Sequence, residues 1–118
     1  MNLQQEKKLT FKRLIQSVAG FYNIQIKNIT GTRRKKDFVK ARQIVAYLAR
    51  EKLKKSFPAI ARTLGGRDHT TAIYSYHKIK GKIEREEGFK KEIENILSVN
   101  YDIERKKDNI AKIKFSTQ

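Results

Sequence analysis

Seven consecutive residues, Gly65-Gly66-Arg67-Asp68-His69-Thr70-Thr71, carry the densest chemistry in this 118-residue chain. The paired glycines interrupt one helical pattern, and Asp68 is placed to cap the helix that follows. That helix therefore opens with four short side chains that can form hydrogen bonds. Such a tip is suited to reading base edges in the major groove of duplex DNA. There Asp accepts from cytosine N4, Thr bonds a base or lays its methyl group on that of thymine, and His donates to a phosphate or a base. Taken alone, a capping Asp beside solvated threonines is the simpler account. The rest of the sequence reverses that balance.

Charge is the first reason. The chain carries 28 Lys and Arg against 12 Asp and Glu, a formal net charge of +16. The excess is segregated: residues 1–83 hold 20 of the cations and four of the acids, whereas residues 84–118 hold eight of each. Solubility needs no such segregation; binding a polyanion does. At this length one small core is expected. The chain has no Cys, which removes disulfides and thiolate metal sites. It also shows no apolar run of the roughly 20 residues that a membrane span needs, and no charged-then-apolar leader. The expectation is a cytoplasmic, nucleoid-associated protein.

The elements that would position the tip follow from spacing. Residues 1–8 are polar and expected to be disordered. Thr10 is placed to cap a helix carrying Phe11, Leu14, Ile15, Val18 and Ala19 at helical intervals, with Gly20 and Asn23 marking its end. Ile24, Ile26 and Ile29 alternate, but a single strand cannot satisfy its own backbone, so an extended connector or one helical turn is expected. The stretch GTRRKK at 31–36 is a basic loop. Asp37 is expected to cap the next helix, which buries Phe38, Ala41, Ile44, Val45, Leu48 and Ala49, and whose end suits Lys52, Lys54 and Lys55. Ser56 caps a short helix with Pro58 in its first turn and Ile60, Ala61 and Leu64 facing inward. The helix after Asp68 carries Ala72, Ile73, Tyr76, Ile79, Lys80 and Ile83. Two helices joined by a tight glycine turn make a helix-turn-helix with the second as reader. After Gly88, Phe89, Ile93, Ile96 and Leu97 predict a last amphipathic helix covering the core. The reading is all-α, a compact helical domain over 9–99 with a central helix-turn-helix of the Trp-repressor-like kind, and a C-terminal extension at 100–118.

The string Lys40 to Tyr74, KARQIVAYLAREKLKKSFPAIARTLGGRDHTTAIY, resembles the C-terminal DNA-binding domain (domain IV) of the bacterial replication initiator DnaA. The basic loop, the A-R-Q helix, the S-x-P-x-I turn and the G-G-R-D-H-T-T run stand in the family's order, and the resemblance extends from about Leu9 to Leu97. Two positions depart from the pattern. Ala59 stands where the family commonly has Glu, removing a capping-box partner for Ser56, and Ala41 stands where Pro is usual. Neither is a base-reading position.

The residues and the resemblance together assign roles. Base contacts fall to Asp68, His69, Thr70 and Thr71, with Pro58 either reaching a thymine methyl or simply starting its helix. The resemblance makes Arg34 the arginine that enters the adjacent minor groove, where narrow A·T-rich tracts favour Arg; Arg33, Lys35 and Lys36 would then hold flanking phosphates. It also puts Arg42 and Gln43 on phosphates. Arg50, Lys54, Lys55 and Ser56 lie at a helix junction where cations and capped N–H groups could clamp a phosphate. Arg67 is assigned to structure or phosphate, and His77 to a partly buried structural position.

Other functions are less well served. His69 and His77 are eight residues apart, about 12 Å of helix rise, too far to share an ion, so no enzyme, metal or cofactor is expected. The family's full-length members couple this domain to an ATPase. This sequence has no G-x-x-x-x-G-K-[ST], so any ATPase or other replication protein would be a separate partner or a separate part. The leading expectation is a monomer that binds double-stranded DNA at a DnaA-box-like site, in origin recognition or its regulation. Two alternatives stay open: a free-standing DNA-binding regulator unrelated to initiation, and a small basic RNA- or ribosome-binding protein. The second lacks an exposed aromatic platform for unpaired bases.

Overall fold

The computed structural model describes residues 9–66 and 68–101. Six helices and no strand occur among the described residues: α1 (Phe11–Tyr22), α2 (Ile26–Thr30), α3 (Lys36–Leu53), α4 (Phe57–Thr63), α5 (His69–Arg85) and α6 (Glu87–Tyr101). The expected all-α architecture with a helix-turn-helix is what the chain forms. The expectations for residues 1–8, for Arg67 and for the extension beyond Tyr101 fall outside the described residues.

Local chemistry sets most helix ends. Thr10 accepts from the Arg13 N–H at 3.1 Å to start α1, and Asn23, left-handed at φ 57°, ends it. Gly20 lies inside that helix rather than at its end. The isoleucines at 24–29 resolve into the single helical turn α2. Asp37 does not cap α3. The helix begins two residues earlier than such a cap would set, with Lys35 at the N-cap position and Asp37 in the first turn, where acidic residues suit the positive end of the helix dipole. Helix α3 ends on Lys54 at φ 57°, with the Lys55 N–H donating to the Ala49 carbonyl at 3.2 Å and the Lys54 N–H to that of Arg50 at 3.2 Å. This is a Schellman end with Lys in the left-handed place that Gly usually fills.

Helix α3 is the axis of the core. Ala41, Ile44, Val45, Leu48 and Ala49 recur at three- and four-residue intervals, and all five are fully buried. They meet Leu14 and Val18 of α1, Ile29 of α2 and Ile60 of α4, also fully buried. Each such Leu or Ile contributes roughly 1.5–3 kcal/mol by leaving water. Helix α3 packs against α1, α2, α4 and α5, while α6 lies against α1 and α5. Phe89, Ile93 and Ile96 of α6 complete the core, the covering role the spacing predicts. A polar latch fastens α6: the Tyr22 hydroxyl donates to Glu92, whose carboxylate also sits 3.5 Å from Lys40 Nζ. Desolvation, helped by that hydrogen bond and the nearby carboxylate charge, pushes the Tyr22 hydroxyl well above its ordinary pKa.

Candidate nucleic-acid interface

Helix α5 begins as the sequence predicts. Asp68 is its N-cap, with Oδ1 accepting from the Thr70 N–H at 3.3 Å and its carbonyl accepting from the Thr71 N–H at 2.9 Å. The same carboxylate lies 3.2 Å from His69 Nδ1. The cap consumes only part of what this tip offers: Asp68, His69, Thr70 and Thr71 are all exposed. They stand clear of the core because Ala72, Ser75 and Ile79 supply the buried stripe of α5.

The turn that delivers this tip depends on glycine. Gly65 at φ 94° and Gly66 at φ 66° occupy left-handed backbone. Gly65 is also pressed against the root of the basic loop: a Cβ there would lie 2.7 Å from the Gly31 carbonyl oxygen and 3.4 Å from that of Thr30. The helix-turn-helix turn and the basic loop are therefore in direct backbone contact.

Arg33, Arg34 and Lys35 of that loop and Lys36 at the start of α3 are all exposed, and Arg34 meets α5 across a cleft. This cleft of ≈ 400 Å³ is lined by Arg34 of the loop, Gln43 of α3, Ala61 of α4 and Thr71 and Tyr74 of α5, among others. The structure thus brings together four residues singled out from different parts of the sequence, Arg34, Arg42, Gln43 and Thr71. Tyr74 was not singled out. It is 61 % exposed, one turn beyond Thr70 and Thr71, with Lys78 Nζ 5.9 Å from its ring centre. Its place three residues after Thr71 on one helix face was the available signal.

The remaining cations divide by how they are held. Lys54, Lys55 and Ser56 are exposed at the α3–α4 junction. Ser56 Oγ accepts from the Ala59 N–H at 3.2 Å, so this half of a capping box survives the loss of Glu at position 59. Pro58 is exposed in the first turn of α4. Arg50 is half-buried: Nη1 donates to the Lys55 carbonyl at 3.1 Å, and its guanidinium stacks 4.4 Å from the Phe57 ring centre. It braces the junction where Lys54 and Lys55 stand. Arg42 is only 5 % exposed. Its Nε donates to the Ile29 carbonyl at 3.1 Å and its Nη2 to the Asn28 carbonyl at 3.2 Å, and Nη2 also reaches the Arg33 carbonyl. His77, expected to be partly buried, is instead exposed, its ring edge-on to Tyr76 with centres 5.2 Å apart.

Among the described residues, no group of three or more His, Asp or Glu side chains converges as a metal site would require, and no helix is long and apolar enough to cross a membrane.

The family described as "Bacterial dnaA protein helix-turn-helix" matches residues 11–79, a span that contains the basic loop, the cleft and the α5 tip. The chain is 41 % identical over 88 residues to the chromosomal replication initiator protein DnaA of Lactococcus lactis subsp. cremoris, covering 75 % of this chain and 19 % of that protein. It is 43 % identical over 79 residues to the Streptococcus agalactiae protein of the same name, covering 67 % and 17 %. With the Streptococcus thermophilus protein the identity is 43 % over 83 residues, covering 70 % and 18 %. The chain thus spans about a fifth of the length of these relatives.

Proposed function

This chain belongs to the bacterial DnaA helix-turn-helix family, and from that premise we propose that it binds duplex DNA sequence-specifically, at a DnaA-box-like site used in origin recognition or its regulation. The observation that carries the proposal is the cleft lined by both Arg34 and Thr71. A helix tip and a basic loop in that relation can address neighbouring grooves of one duplex.

In this reading Asp68, His69, Thr70 and Thr71 enter the major groove and meet base edges. Pro58, exposed in the first turn of α4, is the candidate for a thymine methyl. Arg34 enters the adjacent minor groove, where negative potential is concentrated. Arg33, Lys35, Lys36, Gln43, Lys54, Lys55 and Ser56 hold phosphates on either side and set the register of the tip; Arg67 is a further candidate. Arg50 acts through the junction it braces. In this reading the chain works as a binding module and as a monomer, and ATP-driven steps at an origin belong to another polypeptide or another part of the same one.

The test is selection of bound duplexes from a random pool, followed by competition with structured RNA at physiological salt. Enrichment of one motif, with affinity for it far above that for random duplex, supports the proposal. An unenriched pool, or RNA that displaces the duplex, ends it.

A further inference from the structure

A basic domain that must neutralise phosphates has put one of its arginines almost wholly inside. Arg42 is 5 % exposed, and burying a cation is costly unless its donors are used. They are used on backbone. Helix α2 is five residues long, so most of its carbonyls have no partner within the helix. Two of them, Asn28 and Ile29, accept from Arg42 at 3.2 and 3.1 Å. A cation at a helix C-terminus also suits the local dipole. The third acceptor is the carbonyl of Arg33, one residue before Arg34.

We infer that Arg42 is the positioning residue of the basic loop, fixing Arg34 relative to the α5 tip so that the two grooves are read in one register. The inference rests on the duplex-binding reading above. One guanidinium spans both ends of the segment from Asn28 to Arg33, and its flat fork of donors matches carbonyls on two different stretches as a Lys ammonium could not. Within the same segment, Gly65 is pressed on the Gly31 carbonyl, where a Cβ would lie 2.7 Å from the oxygen. The loop root is held from α3 by Arg42 and from the helix-turn-helix turn by Gly65. The exposed side chain of Arg34 follows directly on that held root. This differs from the phosphate role that the family resemblance implies for the same residue.

The experiment uses the full chain, the duplex selected with the wild type, and a random duplex. Arg34→Ala, Arg42→Lys and the double variant are compared, with thermal melts to confirm that each is folded. If Arg42 acts through Arg34, each single change lowers affinity for the selected duplex about tenfold, and the double variant loses less than about twofold more. Reselection with Arg42→Lys then loses preference at the base pairs that Arg34→Ala also loses, and keeps those that depend on Thr71. The slope of log affinity against log salt is the same for Arg34→Ala and for the double variant. Additive losses, with that slope flattened by about one further unit when Arg42→Gln is the second change, would make Arg42 a direct phosphate contact and overturn the inference. So would unchanged binding by Arg42→Lys. Amide hydrogen exchange separates the clamp from the DNA reading: if the wild type selects no motif, faster exchange across 32–36 in Arg42→Lys still supports the clamp, and unchanged exchange refutes it. Should Arg42→Lys melt below the assay temperature, Arg42→Gln replaces it. Global unfolding of both would assign Arg42 to the fold as a whole and reject the positioning role.

Discussion

Thr71, in the proposed reading, is where affinity and discrimination should come apart. Its side chain is exposed, it lines the cleft with Arg34, and the core of α5 does not need it. Thr71→Ala should therefore cost about 1–3 kcal/mol on the selected duplex and little on random DNA, read by titration of both under one salt condition. An equal loss on both would remove Thr71 from the reading set. Residue types announced the cap at this tip well, because capping acts through short side chains at fixed offsets. They announced the arginines less well. Arg34, Arg42 and Arg50 are alike in sequence, yet one is exposed, one is buried against three carbonyls and one lies over Phe57. Where a long cation points depends on which backbone groups the tertiary fold leaves unsatisfied, and no local pattern records that. Tyr74 went unnoticed for a related reason: that its ring is left uncovered is a property of the fold.

At the scale of elements, the helix ends were largely legible because a cap is a three-residue event. Thr10, Ser56 and Asp68 all cap where spacing puts them. Asp37 fails as a cap because the Val39 N–H bonds the Lys35 carbonyl at 3.0 Å and starts the helix earlier. The other end of α3 supplies a prediction. Lys54 sits in left-handed backbone, a conformation that costs a side-chain-bearing residue more than it costs Gly. Lys54→Gly should raise thermal stability by roughly 0.5–1 kcal/mol while weakening binding to all duplexes alike, since it removes an exposed cation. A variant that is stabilised with DNA affinity unchanged would take Lys54 off the phosphate set.

At the scale of the molecule, the uneven charge was visible in composition alone, whereas the way α6 is fastened was not: Tyr22 and Glu92 are 70 residues apart and meet only through the fold. Two tests belong here. Neutralising about six to eight phosphates should make log affinity fall against log salt with a slope of roughly −5 to −7; a slope near −2 would contradict a phosphate set of this size. The second concerns alkaline pH. The folded state raises the Tyr22 pKa through burial and its bond to Glu92, so the protonated hydroxyl is favoured on folding. That contribution is complete below the unfolded value of about 10 and is lost as pH rises above it. Tyr22→Phe should melt below the wild type at pH 8, and the gap should narrow above pH 10; a gap independent of pH would deny the latch its proton. The contact between Gly65 and Gly31 has a practical consequence for retargeting. Exposed side chains at the tip can be exchanged one at a time to seek new motifs. An insertion in either connection, by contrast, displaces both readers together, so altered specificity is to be sought by substitution at constant length.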